Sequence, residues 1–264
     1  MKKALFLLSA VFSVCAMQAQ EIGLYTDTGR KCVANEDCCD SFAAGKDLVC
    51  VICDGVGGAV GGRAASMTSV KAIRDYFGRN KTGESLEAIE TALAGAMYAA
   101  DDAIRKKTDA DASLKGMAST CLIALIRSDT VYYSHAGDCR LYRVADGHMT
   151  QLTEDDSYID LLIASGEITP KQARKHPMRR AIFNALGIEK MTPNFCGSGC
   201  ALAPGEYILM CSDGLYEELS DIRIGRIVRR SKETCMELAQ KLVRTADKAG
   251  GRDNISVIVI RKNN

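Results

Sequence analysis

The alternation of apolar and polar positions along the chain predicts six strands and two long helices. Residues 85–107 and 231–250 repeat apolar side chains every three or four positions, which is typical of an amphipathic helix. Shorter apolar runs predict strands over residues 48–53, 117–126, 130–135, 140–144, 206–211 and 255–261.

Short links between consecutive strands favour antiparallel pairing, and the third and fourth strands are joined by only a few residues around "AGDC". Each predicted helix has one apolar face that must be buried. Sheets covered by such helices form layers, so the pattern predicts an α+β sandwich. No repeat, low-complexity tract or Pro-rich linker divides residues 20–264, which we expect to form a single domain.

The first 19 residues differ in character from the rest of the chain. Two lysines precede an apolar run over residues 4–14, and small and polar residues follow it. This layout is typical of a secretory signal peptide, and the run is too short to span a bilayer comfortably. We therefore expect cleavage near Ala19 and export to the periplasm or the exterior. The alternatives are a cytoplasmic chain that begins with a core helix and a lipoprotein anchored at Cys15.

Composition and charge are those of an ordinary globular protein. The 264 residues are 47% hydrophobic, and 34 Lys and Arg residues balance 33 Asp and Glu residues, which gives no indication of nucleic-acid binding. The chain has twelve cysteines. Cys50 and Cys53 lie in one predicted strand and point to opposite faces, which argues against a zinc site. We interpret most cysteines as small buried apolar residues, although an exported chain could form disulfides.

Four aspartates lie at the ends of predicted strands. Asp54 in "VICDG" and Asp213 in "YILMCSDG" follow apolar runs, Asp253 precedes one in "GRDNISVIVI", and Asp138 lies in the link of "YYSHAGDCRLYR". Neighbouring glycines or small polar residues leave the backbone free for close approach. Carboxylate oxygens on rigid elements are what a hard divalent cation needs, so the four together predict a metal centre. A single such aspartate would indicate only a turn.

The four aspartates lie within a larger set of seven characteristic segments, which are distributed between residues 26 and 260. They are "TDTGRKCVANED", "VICDGVGG", "MASTCLIALI", "HAGDCRLYR", "QLTEDDSYIDLLIASGEITPKQARKHPMRRAIFNALG", "LMCSDGLYEELSD" and "GRDNISVIVI". In this order they resemble the bacterial members of the metal-dependent serine/threonine protein phosphatases of type 2C, the PPM class. The resemblance implies a four-layer α-β-β-α sandwich, in which two antiparallel sheets are flanked by helices.

The resemblance also implies a site for two to three Mn²⁺ or Mg²⁺ ions. Asp54 would bridge two ions, and the backbone carbonyl of Gly55 would complete the shell of the second. Asp213 and Asp253 would hold the first ion. Asp138 matches an acid that, together with Asp213, supports a weaker third ion in bacterial members.

Three further positions match residues around the ions. Glu36 and Asp37 of "NED" would reach them largely through water, and Asn254 follows Asp253 as it does in the family. The resemblance implies that Asp37, Asp54 and Asp213 act in catalysis through a water that the ions activate, without a protein nucleophile.

The implied activity is hydrolysis of phosphoserine and phosphothreonine in proteins. The implied partner is therefore a phosphoprotein, with a monomeric chain, no nucleic acid and no membrane span. Two alternatives remain open. One is a catalytically weak or silent pseudophosphatase that only binds phosphoproteins, and the other is an exported hydrolase of small phosphate esters.

Three positions depart from the pattern of the family. Cys32 stands where a phosphate-binding arginine is usual, and a thiol cannot make the bidentate contact of a guanidinium. Lys31 and Arg30 are the candidates for that contact in its place. Asp156 replaces a usual histidine and Arg180 stands where asparagine is common. By the resemblance, both would lie in the flap, the region around residues 154–157 and 176–180 that tends to tune substrate choice in the family.

Overall fold

The structure is a computed structural model that describes residues 20–56, 58–173 and 175–263. The predicted signal segment, residues 1–19, lies outside this part of the chain. The strands are β1 (Gln20–Asp27), β2 (Cys38–Ala44), β3 (Asp47–Cys53), β4 (Gly55–Val56), β5 (Ala118–Ser119), β6 (Cys121–Arg127), β7 (Thr130–Ala136), β8 (Arg140–Ala145), β9 (His148–Gln151), β10 (Asn194–Phe195), β11 (Cys200–Ala201), β12 (Tyr207–Cys211) and β13 (Ile255–Lys262). The α-helices are α1 (Gly58–Arg79), α2 (Leu86–Ala110), α3 (Tyr158–Ala164), α4 (Pro170–Ala173), α5 (Asp213–Tyr216), α6 (Asp221–Arg229) and α7 (Cys235–Ala249).

Two antiparallel sheets form the centre of the molecule. The first has the strand order β1-β13-β12-β8-β9, and the second has the order β10-β7-β6-β3-β2, with β11 also paired to β7. The short link between β7 and β8 therefore does not close a hairpin, because these strands belong to different sheets. It carries Asp138 across the edge at which the two sheets meet.

Three apolar clusters explain why the layers stack. Ile52 of β3 and Ile258 of β13 belong to the cluster between the two sheets. Val51, one residue earlier, points to the opposite face and joins Leu93 of α2 in the cluster beneath the first pair of helices. Leu242 of α7 belongs to the cluster on the outer face of the other sheet. This alternation confirms the four-layer α-β-β-α sandwich.

All six predicted strands and both predicted helices are present, with small changes at their ends. The run predicted over residues 117–126 is divided into β5 and β6 at Thr120. Thr120 donates its N–H to the Asp54 carbonyl at 2.8 Å, and its Oγ1 accepts the Asp54 N–H at 2.9 Å. The helix predicted from residue 231 begins at Cys235, because Thr234 is its N-cap and forms a capping box with Glu237 in the first turn.

The pattern of apolar residues did not predict α1, which begins inside the glycine-rich stretch after Asp54. Glycines usually disfavour a helix. Here they permit close packing, because a Cβ on Gly55 would overlap the carbonyl of Gly62 and a Cβ on Gly62 would overlap the Glu36 carboxylate. The first turns of α1 thus lie directly against the backbone of β4, next to Asp54.

Most of the cysteines in the described part of the chain are buried, as small apolar residues are. Cys50 belongs to the cluster between the sheets and Cys53 to the cluster beneath the helices, which confirms that their side chains point to opposite faces. All eleven cysteines in the described part of the chain have free thiols. None of the helices in this part is long and apolar enough to cross a membrane.

The contact between β1 and α7 generates a test of the packing. A Cβ on buried Gly23 of β1 would overlap the backbone of Cys235 and Met236 at the start of α7. We expect Gly23→Ala to reduce the free energy of unfolding by roughly 1–3 kcal/mol, as overpacking does. The matched control is Gly78→Ala in α1, where the added methyl group meets open space. Denaturant unfolding measures both, and equal stability of the two variants would contradict this packing.

Candidate functional site

A cavity of about 290 Å³ opens at the edge where the two sheets meet. Asp54, Asp138, Asp213 and Asp253 all line it. They come from four separate places: the end of β3, the link between β7 and β8, the start of α5 and the turn before β13. The structure therefore brings together the four aspartates whose convergence the spacing alone left open.

Hydrogen bonds to neighbouring segments hold the acidic residues in place. Ser119 Oγ donates to the Asp54 carbonyl at 3.0 Å, in addition to the two bonds with Thr120. The Tyr216 hydroxyl donates to the backbone carbonyl of Asp138 at 2.9 Å. Because these bonds use the backbone, the carboxylates themselves stay available to the cavity.

Asn254 connects the turn before β13 to the loop between β1 and β2. Its Nδ2 donates to the carbonyls of Thr28 at 2.8 Å and Ala34 at 3.0 Å, and its Oδ1 accepts the N–H of Glu36 at 2.7 Å. Its own N–H donates to Asp253 Oδ1 at 2.9 Å. Asn254 thus fixes the backbone at Glu36, and both residues line the cavity together with Gly55.

Asp37 lies beneath the cavity and does not line it. The residue is buried, and Ser212 Oγ donates to its Oδ2 at 2.7 Å. Its Oδ1 has no hydrogen-bond partner within residues 20–56, 58–173 and 175–263, and the same holds for Oδ1 of Asp213. Buried carboxylate oxygens without a partner are costly, so two such atoms at one place indicate that a positively charged group belongs there.

The electrostatics of the cluster lead to the same conclusion. Burial, followed by repulsion from Asp37 and Asp213, raises the pKa of Asp54 well above its usual range. Burial, followed by repulsion from Asp138 and Asp253, does the same to the pKa of Asp213. Burial raises the pKa values of Asp37 and Asp138 to about 6. The cavity therefore carries a concentration of negative charge that favours a cation.

The donor chemistry fits a divalent cation of the Mg²⁺ and Mn²⁺ type. The aspartates supply only oxygen atoms, which hard cations prefer, and the cavity has room for water beside them. In the ranges that the structure describes, no three Asp, Glu, His or Cys side chains form a preformed metal cage. The fit thus rests on charge, burial and oxygen donors.

The two basic residues considered for phosphate binding lie outside the lining of the cavity. Arg30 Nε donates to Asp247 Oδ2 at 2.9 Å, and the Lys31 side chain is exposed. Cys32 does line the cavity, with its Sγ 3.8 Å from Asp253 Oδ1. The basic residue that the structure places there is Arg180. Its only signal in the sequence was its departure from the asparagine that is common at this position.

Asp156, the second departure in the flap, is buried between the flap and the loop that carries Asp138. Its Oδ2 accepts the Gly137 N–H at 2.9 Å, a bond from Asn184 Nδ2 at 2.8 Å and a bond from Asn194 Nδ2 at 2.9 Å. Three donors compensate the burial of this carboxylate. Asp156 therefore connects the flap to the residue next to Asp138.

A larger cavity, of about 670 Å³, lies beside α3 and includes Asp155 and Asp156 in its lining. The carboxylates of Asp155 and Asp156 are already compensated, because Arg140 Nη2 binds Asp155 Oδ2 at 2.7 Å and amide groups bind Asp156. Unlike the cavity around Asp54, it has no cluster of unpaired carboxylates. The smaller cavity is therefore the candidate site.

Comparisons with known proteins agree with this arrangement. The family model described as protein phosphatase 2C matches residues 28–257. The serine/threonine phosphatase stp of Listeria innocua is 30% identical over 241 residues, which cover 90% of this chain and 94% of that protein. The serine/threonine protein phosphatase PstP of Mycobacterium tuberculosis is 31% identical over 220 residues, which cover 83% of this chain but only 41% of the length of PstP.

Solved structures share the fold over nearly the whole described chain. The serine/threonine phosphatase of S. agalactiae has a TM-score of 0.85 and 27% identity, with 92% of this chain and 99% of that chain covered. The catalytic domain of PstP in complex with two manganese ions has a TM-score of 0.80 and 28% identity, with 93% and 99% covered. Together with the family model, these similarities show that the chain belongs to the protein phosphatase 2C family.

Proposed function

We propose that this chain is a metal-dependent phosphatase that removes phosphate from phosphoserine and phosphothreonine in proteins. The observation that carries the proposal is the convergence of Asp54, Asp138, Asp213 and Asp253 on one cavity. The named relatives are serine/threonine phosphatases, and the solved PstP domain was obtained with two manganese ions.

The residues that would hold two to three Mn²⁺ or Mg²⁺ ions are five of those that line the cavity and have an oxygen donor. They are Asp54, the carbonyl of Gly55, Asp138, Asp213 and Asp253. When bound, such ions supply an activated water at neutral pH and neutralise the charge on the phosphoryl oxygens. The role of the protein is to hold the oxygen ligands at fixed positions before the substrate arrives.

The surrounding residues orient the ligands. Thr120 and Ser119 fix the backbone of Asp54, and Tyr216 fixes the backbone of Asp138. Ser212 holds one oxygen of buried Asp37 beside Asp213, so that the other oxygen is available to a bound water or cation. Such contacts limit the movement of the carboxylates and tune their affinity for a cation.

The experiment that tests the function is a hydrolysis assay on the purified chain with and without Mn²⁺. We expect activity that depends on the ion and a higher kcat/KM on a phosphothreonine peptide than on a small aryl phosphate. The control is the same protein with an excess of EDTA. Binding of the phosphopeptide without turnover would indicate a silent binding protein instead, and a preference for small esters would indicate the other alternative.

We expect Asp54→Asn to abolish metal-dependent hydrolysis and yet to stabilise the metal-free protein. Folding raises the pKa of Asp54, so its ionisation opposes folding at any pH above its unfolded value, and the neutral amide removes this cost. The activity should fall by at least about a hundredfold, and the Tm in EDTA should rise by a few degrees. Thermal unfolding with EDTA and with Mn²⁺ measures the second effect.

The matched control for Asp54→Asn is Asp75→Asn. Asp75 is a partly exposed residue of α1 that pairs with Lys71 and does not line the cavity. This variant should keep both the activity and the stabilisation by Mn²⁺. Full activity in Asp54→Asn would contradict the assignment of the site.

A milder effect is expected for Asp138→Ala. By the resemblance to the family, the Asp138 side chain would hold only the weaker third ion. The Tyr216 hydroxyl binds the backbone carbonyl of Asp138, which the substitution leaves intact. Turnover should therefore fall while tight Mn²⁺ binding persists. Calorimetric titration with Mn²⁺ checks this, and loss of the tight binding phase would show that Asp138 belongs to the central ligand set.

A further inference from the structure

Arg180 is the only basic residue among the described residues that line the cavity. We propose that Arg180 binds the phosphoryl group of the substrate and makes the contact that Cys32 cannot make. The inference rests on the proposed phosphatase function, since it assigns a residue to the substrate of that site. It places the phosphate-binding cation on the flap and not on the loop that follows β1.

The position of Arg180 suits contact with a substrate that enters from solvent. Its Nη1 donates to Asp253 Oδ2 at 2.7 Å, and its Nη2 donates to Glu217. The side chain is 39% exposed, so the guanidinium lies at the mouth of the cavity and not in its interior. A phosphoryl group that approaches the four aspartates therefore meets Arg180 on its way.

Arg180 and Cys32 reach the same carboxylate from two different segments. Arg180 contacts Oδ2 of Asp253, whereas the Cys32 thiol lies 3.8 Å from Oδ1 of the same group. A guanidinium from the flap thus reaches the place that a longer side chain at position 32 would reach. A thiol is a weak donor with no positive charge, so Arg180 is the group there that can neutralise a phosphate.

The chemistry of the guanidinium allows it to bind phosphate while it stays anchored. The structure describes hydrogen bonds from two of its N–H groups, which leaves further donors for the phosphoryl oxygens. Arginine forms paired, charge-assisted hydrogen bonds to phosphate, which are stronger than those between neutral groups. Glu217 is mostly buried and holds the guanidinium in a defined orientation.

Three other arginines nearby have acidic partners. Arg30 pairs with Asp247 at 2.9 Å, and Arg252 pairs with Glu218 at 2.8 Å. Arg179 Nη1 lies 3.3 Å from Glu217 Oε1, so Arg179 and Arg180 contact the same carboxylate, but Arg179 does not line the cavity. This neighbour offers a matched control, because it has the same chemistry and one of the same partners without access to the site.

The test measures binding of orthophosphate to the Mn²⁺-loaded protein by calorimetry, with Mn²⁺ affinity measured separately. We expect Arg180→Ala to weaken orthophosphate binding by roughly tenfold to a hundredfold, as loss of a charge-assisted contact does. Arg180→Lys should give an intermediate loss, because it keeps the charge but not the paired donors. Arg179→Ala should bind orthophosphate like the unmodified protein. Mn²⁺ affinity should not fall in any of these variants.

Addition of an arginine at position 32 provides a second test. Cys32→Arg should restore orthophosphate binding and kcat/KM in the Arg180→Ala background, with little change in Mn²⁺ affinity. The gain from Cys32→Arg should be smaller when Arg180 is present, because the two groups would serve the same phosphate. Equal gains in both backgrounds would show that the two positions act independently and would contradict the proposal.

Unchanged orthophosphate binding in Arg180→Ala, with a loss in Arg30→Ala or Lys31→Ala, would also overturn the inference. Failure of the proposed phosphatase function is distinguishable from failure of the Arg180 inference, because orthophosphate binding is measured without turnover. A chain that binds orthophosphate through Arg180 but hydrolyses no phosphopeptide would support the inference and contradict the function. Phosphopeptide hydrolysis that is insensitive to Arg180→Ala would support the function and contradict the inference.

Discussion

Burial of several carboxylates at the junction of the two sheets is the constraint on which the site depends. Asp54 and Asp213 are held among like charges, where burial and repulsion raise their pKa values. Removal of a charge from water costs roughly several kcal/mol per group. The apolar clusters and the backbone hydrogen bonds around the cavity have to offset that cost. The chain thus keeps an arrangement of acidic groups that opposes its own stability, and such perturbed carboxylates are typical of functional sites.

Close approach of backbones makes this arrangement possible. A Cβ on Gly55 would overlap Gly62, and a Cβ on Gly214 would overlap the carbonyl of Asn254. Gly55 lets α1 pack beside Asp54, and Gly214 lets α5 begin beside the turn that carries Asp253. Glycine is required at positions 55 and 214 because the backbone of a neighbouring segment leaves no room for a Cβ. The backbone conformation does not require it, since neither Gly55 nor Gly214 has a positive φ.

The flap is joined to the site through side chains that differ from those usual in the family. Asp156 binds Gly137 next to Asp138, and Arg180 binds Asp253. Both contacts link flap residues directly to segments that carry the acidic cluster. With a thiol at Cys32, the loop after β1 contributes no positive charge to the cavity lining, so the charge balance at the cavity mouth depends on the flap.

The sequence by itself determined the strands and helices whose side chains alternate between buried and exposed, because that periodicity is a local property. It also placed four aspartates at strand ends and identified the family from motif order. Tertiary structure decided the rest. The helix α1 was not predicted because its first turns contain glycines, and Gly62 is needed there for close contact with Glu36 and Gly55. The short link between β7 and β8 also gave no sign that these two strands belong to different sheets. Residues far apart in sequence, such as Arg180 and Asp253, meet only after folding. The sequence pattern therefore pointed to Arg30 and Lys31, whereas the basic side chain that folding brings to the cavity lining is that of Arg180.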